Sequence, residues 1–165
     1  MKVKIELALR TREVYQLFGR RMDENRLFID AILHKFSIVL NACRRDVPDS
    51  LVLLNEMQQK IIHLTQHMAN ETKRFESLLT LKKSTLNSTI NYVVQYQPVI
   101  IATNRLSLLL IEFIQAHDTL VAILKLLHLA GCFELDSDCL NNIKRYQKMA
   151  NQMLSELVLT SVGMK

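Results

Sequence analysis

Apolar and polar positions alternate from the second residue to the tenth. Val3, Ile5, Leu7 and Leu9 fall on one side, and Lys2, Lys4, Glu6, Ala8 and Arg10 on the other. A period of two marks a half-buried β-strand. The period then lengthens. Over residues 11–22, Val14, Leu17, Phe18 and Met22 recur at helical spacing, with Thr11 placed to cap and Gly19, Arg20 and Arg21 at the end. A second helix runs from Asp23, with Phe28, Ala31, Ile32, Phe36, Val39, Leu40 and Cys43 on one face. Residues 46–50, Asp-Val-Pro-Asp-Ser, form a boundary: proline disfavours helix before it, and Asp49 or Ser50 can cap the next helix.

The rest of the chain reads as long helices. From Leu51 to about Lys82, residues Leu54, Met57, Ile61, Leu64, Met68, Phe75 and Leu78 repeat in steps of three and four, with Glu71 as a break. That is a coiled-coil-like seam, able to pack within the chain or against a partner. Residues 82–89 are polar and read as a loop. Residues 90–103 hold strand formers (Tyr92, Val93, Val94, Tyr96, Val99, Ile100, Ile101) interrupted by Pro98, and read as an extended or short strand segment. A helix from about Asn104 to Ala130 comes next, striped with Leu106, Leu109, Leu110, Phe113, Ile114, Val121, Leu124 and Leu127 and stopped at Gly131. Glu112, His117, Asp118, Lys125 and His128 mark it as a core helix and not a membrane span. The last helix begins near Asp136–Asp138 and should bury Leu140, Ile143, Met149, Ala150, Met153, Leu154 and Leu157; the tail from Thr160 should fray.

A strand by itself leaves its N–H and C=O groups without partners. Two solutions are open. The first strand can pair with its copy in a second chain, antiparallel across a two-fold axis, or it can pair with residues 91–97 of its own chain. The first solution is an obligate dimer whose two-stranded ribbon fits the major groove of DNA. The alternating Val3-Lys4-Ile5-Glu6-Leu7, the helix after Thr11, the Gly19–Arg21 joint, and Ile29, Ile32 and Leu33 together resemble ribbon-helix-helix transcriptional regulators. Residues 9–13 (Leu-Arg-Thr-Arg-Glu) through 17–20 (Leu-Phe-Gly-Arg), and the body with Asp118-Thr119-Leu120-Val121, Leu124, His128 and Gly131, resemble the AcaB-like proteins of conjugative plasmids and integrative conjugative elements. The resemblance implies a regulator of conjugative transfer genes in the bacterial cytoplasm. The expected architecture is mainly α. Residues 1–45 form a ribbon-helix-helix DNA-binding and dimerisation module, and residues 46–165 a helical body for packing and oligomerisation.

Charge agrees with a polyanion partner. Residues 1–45 hold ten Lys/Arg against five acids, a net of 10 − 5 = +5; residues 46–165 hold 21 − 10 = 11 cations and 16 − 5 = 11 acids. The whole excess therefore lies on the proposed binding module, where neutralised phosphates would release counterions. Lys2, Lys4, Glu6, Arg10, Arg12, Arg20, Arg21 and Arg26 are the candidate DNA-binding residues, with Lys2, Lys4 and Glu6 facing bases and the start of the second helix, residues 23–26, approaching a phosphate. The expected partners are double-stranded DNA and a second copy of the chain, with tetramers as a further step; no membrane or small molecule is indicated.

Enzyme chemistry finds little support. His63 and His67 lie one turn apart without the Glu or third ligand of a zinc helix. Cys43, Cys132 and Cys139 are odd in number and widely spaced, which suits a reducing compartment, and with His128 they match no metal or nucleophile pattern. Three glycines, at 19, 131 and 163, make no phosphate loop. No metal or cofactor is expected. The N-terminus lacks the apolar stretch of a signal peptide. The alternative to a DNA-binding regulator is a helical interaction or scaffold module of a transfer apparatus.

Overall fold

The computed structural model describes residues 1–83 and 92–162. In chain order the elements are β1 (Val3–Glu6), α1 (Arg12–Tyr15) continued by a 3-10 turn (Gln16–Phe18), β2 (Arg21–Asp23), β3 (Arg26–Leu27), α2 (Phe28–Arg44), α3 (Ser50–Lys83), β4 (Val99–Ala102), α4 (Arg105–Leu129) and α5 (Asp136–Leu159). The protein is mainly helical. The loop expected over residues 82–89 falls largely outside the described residues, as does the end of the tail.

The N-terminal strand finds its partner in its own chain. β1 runs antiparallel to β4, with Val3 opposite Ala102, Lys4 opposite Ile101, Ile5 opposite Ile100 and Glu6 opposite Val99. The ladder continues inward. Leu7 N–H donates to Pro98 O (2.8 Å), and Leu9 and Tyr96 exchange N–H···O bonds of 2.9 and 3.0 Å. Pro98 has no N–H to return, which is why regular strand ends beside it. The hydrogen bonds that called for a second chain are thus made internally. The ribbon shared across a two-fold axis is corrected to a ribbon within one chain; its internal partner begins inside residues 91–97, at Gln95 and Tyr96, and runs on past them to Ala102. The alternation is kept from residue 4 to residue 9: Leu7 and Leu9 are fully buried and Ile5 half-buried, while Lys4 and Glu6 are exposed; Val3, at the outer end of the strand, is exposed like Lys2 and does not reach the core.

The two helices expected over residues 11–45 are also redrawn. Regular helix after Thr11 lasts only to Tyr15, and the 3-10 turn closes at Gly19, whose N–H donates to Gln16 O. Met22 lies in β2 and is exposed. Asp23 caps no helix. Its carboxylate accepts from Asn25 N–H at 2.8 Å, a local bond that turns the chain into the β2–β3 hairpin. α2 begins at Phe28, whose N–H donates to Arg20 O.

α4 is the central helix, packed against α1, α2, α3 and α5. By length and composition alone it could cross a membrane, but most of its side chains are buried among those neighbours. Both ends lie where the sequence places them: Asn104 Oδ1 accepts from Ser107 N–H, and Gly131 adopts φ +78°. α3 packs mainly on α4, so the seam serves the chain's own core. Met57, Ile61, Leu64, Met68, Phe75 and Leu79 are buried; Leu78 is exposed. A straight helix drifts relative to a seven-residue repeat, so Thr72 takes the inward place and Leu79 replaces Leu78. Thr72 satisfies its hydroxyl on Met68 O, and Glu71, at the helix flank, pairs with Arg74 at 2.7 Å. On α5 Leu140 is exposed, while Cys139, Tyr146 and Val158 join the buried face. One hydrophobic cluster takes in Leu7, Leu9 and Val14 with residues from α2, α3, α4 and α5.

A single buried carboxylate ties the N-terminal segment to this body. Asp118 on α4 accepts from Arg10 N–H (2.9 Å), Thr11 N–H (2.9 Å) and the Thr11 hydroxyl (2.7 Å). Thr11 therefore spends its side chain on α4 instead of capping α1. Asp118→Ala leaves these donors without an acceptor and is expected to cost on the order of 3 kcal/mol. Urea unfolding followed by circular dichroism measures it; a loss under about 0.5 kcal/mol, the size of an ordinary surface substitution, would contradict the assignment.

Candidate functional site

The eight residues singled out for DNA binding fall into separate groups. Lys2, Lys4 and Glu6 stand on the exposed face of β1. Their cross-strand neighbours there are apolar: Ile101 opposite Lys4 and Val99 opposite Glu6, both exposed. The ribbon thus presents a mixed face of charge and branched aliphatics.

The second group surrounds the β2–β3 hairpin. Arg21 and Arg26 are exposed on its two strands, and Arg21 Nη1 donates to Glu24 O at 3.0 Å. Arg20 precedes the hairpin. Its guanidinium lies over the Phe28 ring, 4.1 Å from the centroid, and reaches Asn151 on α5 at 3.4 Å. Residues 23–26 do not form a helix N-terminus, so the phosphate site expected there is replaced by a hairpin carrying Asp23, Glu24 and Arg26. Arg10 is half-buried, with its backbone fastened to Asp118, and Arg12 is exposed at the start of α1.

Below Arg20 lies a pocket of about 380 Å³ where α1, the 3-10 turn, α4 and α5 meet. Sequence reasoning did not find it. Glu13, Gln16, Arg20, His117, Gln147 and Asn151 contribute to its walls. Glu13 is held by Lys125 at 2.6 Å. Burial alone would lower the Lys125 pKa, but the Glu13 carboxylate outweighs it and keeps the ammonium above its ordinary value. His117 is 2% exposed, stacked near Phe113, and neither ring nitrogen has a hydrogen-bond partner among the described residues. Burial pushes its pKa down to about 4, so the ring is neutral at pH 7. The legible signal was a polar His-Asp pair inside an otherwise apolar helix stripe. Beside this pocket a shallower groove runs along α5, with Lys144, Lys148 and Gln152 at its sides.

The remaining candidates stay apart. His63 is exposed and His67 half-buried near the Tyr146 ring. No group of three potential metal ligands occurs among the described residues. Cys132 is exposed. Cys139 is buried, its Sγ bonded to Leu124 O, and burial raises its thiol pKa. His128 pairs with Asp136 at 3.2 Å.

His117 generates a pH dependence. Its folded pKa lies below the ordinary 6.5, so the unfolded chain takes up the proton first as pH falls. The neutral ring's contribution is fully present above pH 6.5 and is lost as pH drops toward 4, on the order of 3 kcal/mol across that window. Unfolding free energies of wild type and His117→Leu, measured from pH 7 to pH 4, should diverge in slope. Parallel curves would contradict a buried neutral histidine.

No family model matches the chain, and no curated protein does. Among solved structures, the crystal structure of selenomethionine-containing AcaB from uropathogenic E. coli is similar in fold. Its TM-score is 0.67 at 12% identity, covering 95% of this chain and 77% of that one. This chain therefore has an AcaB-like fold.

Proposed function

We propose that the chain is a regulator of gene expression that binds duplex DNA through cations of its N-terminal segment. One observation carries the reading: the entire net charge of +5 lies in residues 1–45, and Lys2, Lys4, Arg12, Arg20, Arg21, Arg26, Arg44 and Arg45 are all exposed. The AcaB-like fold supports it, because the sequence resemblance to that family implies control of conjugative transfer genes. In this reading the ribbon reads DNA as a single-chain element. Two antiparallel strands are narrow enough for the major groove. Lys4 can donate to guanine and Glu6 can accept from cytosine, while Arg21 and Arg26 hold phosphates. Homodimerisation remains part of the proposal, since two copies double the cationic surface; it no longer rests on the needs of a lone strand.

A second reading has its own observation. Val99 and Ile101 are 43% and 52% exposed on the same face as Lys4 and Glu6, as suits a protein-docking surface of a scaffold module.

Duplex binding at two salt concentrations, with solution mass measured alongside, separates the two. The DNA reading expects affinity to fall steeply between roughly 50 and 200 mM salt. The variant carrying Lys2→Ala, Lys4→Ala, Arg21→Ala and Arg26→Ala should flatten the log–log slope by roughly 0.9 per lost phosphate contact. Lys4→Ala alone should cost about 1–3 kcal/mol and relax base preference. A chain that ignores duplex DNA at low salt overturns the reading.

A further inference from the structure

We propose that α5 makes a second contact to the DNA backbone, through Lys144 and Lys148, continuous with the cations of the β2–β3 hairpin. This contact rests on the DNA reading and adds residues to it. Lys144 and Lys148 are exposed and stand one turn apart on α5. Their neighbours three and four residues away are Leu140, Asn141, Arg145, Gln147, Asn151 and Gln152, and none is acidic. Neither ammonium joins an ion pair among the described residues. Like charges at this spacing repel each other. An anion lying between them relieves the repulsion.

The surroundings point to the source of that anion. The groove that holds both lysines is about 480 Å³ in volume. Gln147, Asn151, Gln152 and Ser155 complete its walls, so every lining side chain is polar and none is acidic. It lacks the apolar side chains with which an amphipathic helix enters a lipid surface. Amides and hydroxyls, by contrast, accompany lysine and arginine on phosphate oxygens. The groove also continues beyond α5. Gln147 and Asn151 line the pocket beneath Arg20 as well, and Asn151 Oδ1 accepts from the Arg20 guanidinium at 3.4 Å. Glu13, the acid of that pocket, is already neutralised by Lys125. Arg20 directly precedes β2, and Arg21 and Arg26 are exposed on the hairpin. The cations thus run from the hairpin through Arg20 onto α5. The hairpin turn itself carries Asp23 and Glu24, which leaves the α5 groove as the acid-free half of the track. A duplex offers a phosphate about every 3.4 Å along each strand, so it can engage both ends at once. A small free anion would engage only one.

The test is the salt dependence of duplex binding by three full-length chains: wild type, Lys144→Gln with Lys148→Gln, and Lys73→Gln, which removes an exposed lysine from α3. The double variant should bind several-fold more weakly at about 50 mM salt and flatten the log–log slope by roughly 1.8, two contacts at about 0.9 each. Both lysines are exposed and unpaired, so its circular dichroism should match wild type. Lys73→Gln should leave the slope unchanged. A wild-type slope in the double variant, while wild type itself binds DNA, overturns the α5 contact and leaves the ribbon reading standing. Equal flattening per lost charge by Lys73→Gln overturns the location. A wild type that ignores duplex DNA, whether or not it binds phosphatidylserine vesicles, overturns this contact together with the DNA reading.

Discussion

The fold depends on how the first eleven residues are fastened to the rest. Asp118, in the middle of the central helix, gathers the N–H groups of Arg10 and Thr11 and the Thr11 hydroxyl. A carboxylate buried to this degree is tolerated only when its lone pairs are used, and three short bonds use them. The ladder from Leu9–Tyr96 outward to β1–β4 continues the same attachment. Stacking of Tyr15 on Tyr96, 4.4 Å between centroids, closes the corner. An isolated two-stranded ribbon is marginal in water; here its inner residues Leu7, Leu9, Ile100 and Ala102 are buried in the helical core.

That attachment shapes the functional surface. With Leu7 and Leu9 drawn inward, Lys2, Lys4 and Glu6 must face out, because successive strand residues alternate sides. The same segment supplies Glu13 to the pocket over His117 and, after one short helical turn, Arg20 to its rim. The cationic surface and the polar cavity are therefore built on one stretch of chain, lying against a helix whose buried side chains are mostly apolar.

Much of this was legible in the sequence wherever the deciding interaction was local. The period-two run of residues 3–9, the Asn104 cap and Gly131 stop of α4, and the opening of α5 at Asp136 are all set by neighbours within a few residues. What escaped were choices settled at a distance. The partner of β1 lies almost a hundred residues away, and periodicity says nothing about which edge a strand will meet. Thr11 reads as a cap until Asp118 claims its hydroxyl. Asp23 reads as a helix start, yet its bond to Asn25 makes a hairpin, and the two outcomes use the same residue type. Leu78 and Leu79 differ by a helical drift too small to see in a heptad count. The eight DNA candidates were chosen by charge and alternation, which placed Lys2, Lys4 and Glu6 on an exposed face but could not separate the ribbon group from the hairpin group. His117 stood out only as a polar residue on a core stripe; the cavity beside it exists because three distant elements converge there.

Every contact of the N-terminal segment requires its strand to be held by its own chain. Cysteines at facing exposed positions, Lys4→Cys with Ile101→Cys, report this directly when Cys43→Ser and Cys132→Ser remove the more accessible native thiols. Mild oxidation and then non-reducing electrophoresis should give a crosslinked single chain, independent of protein concentration. A disulfide-linked dimer as the main product, or no crosslink in a folded protein, would contradict it.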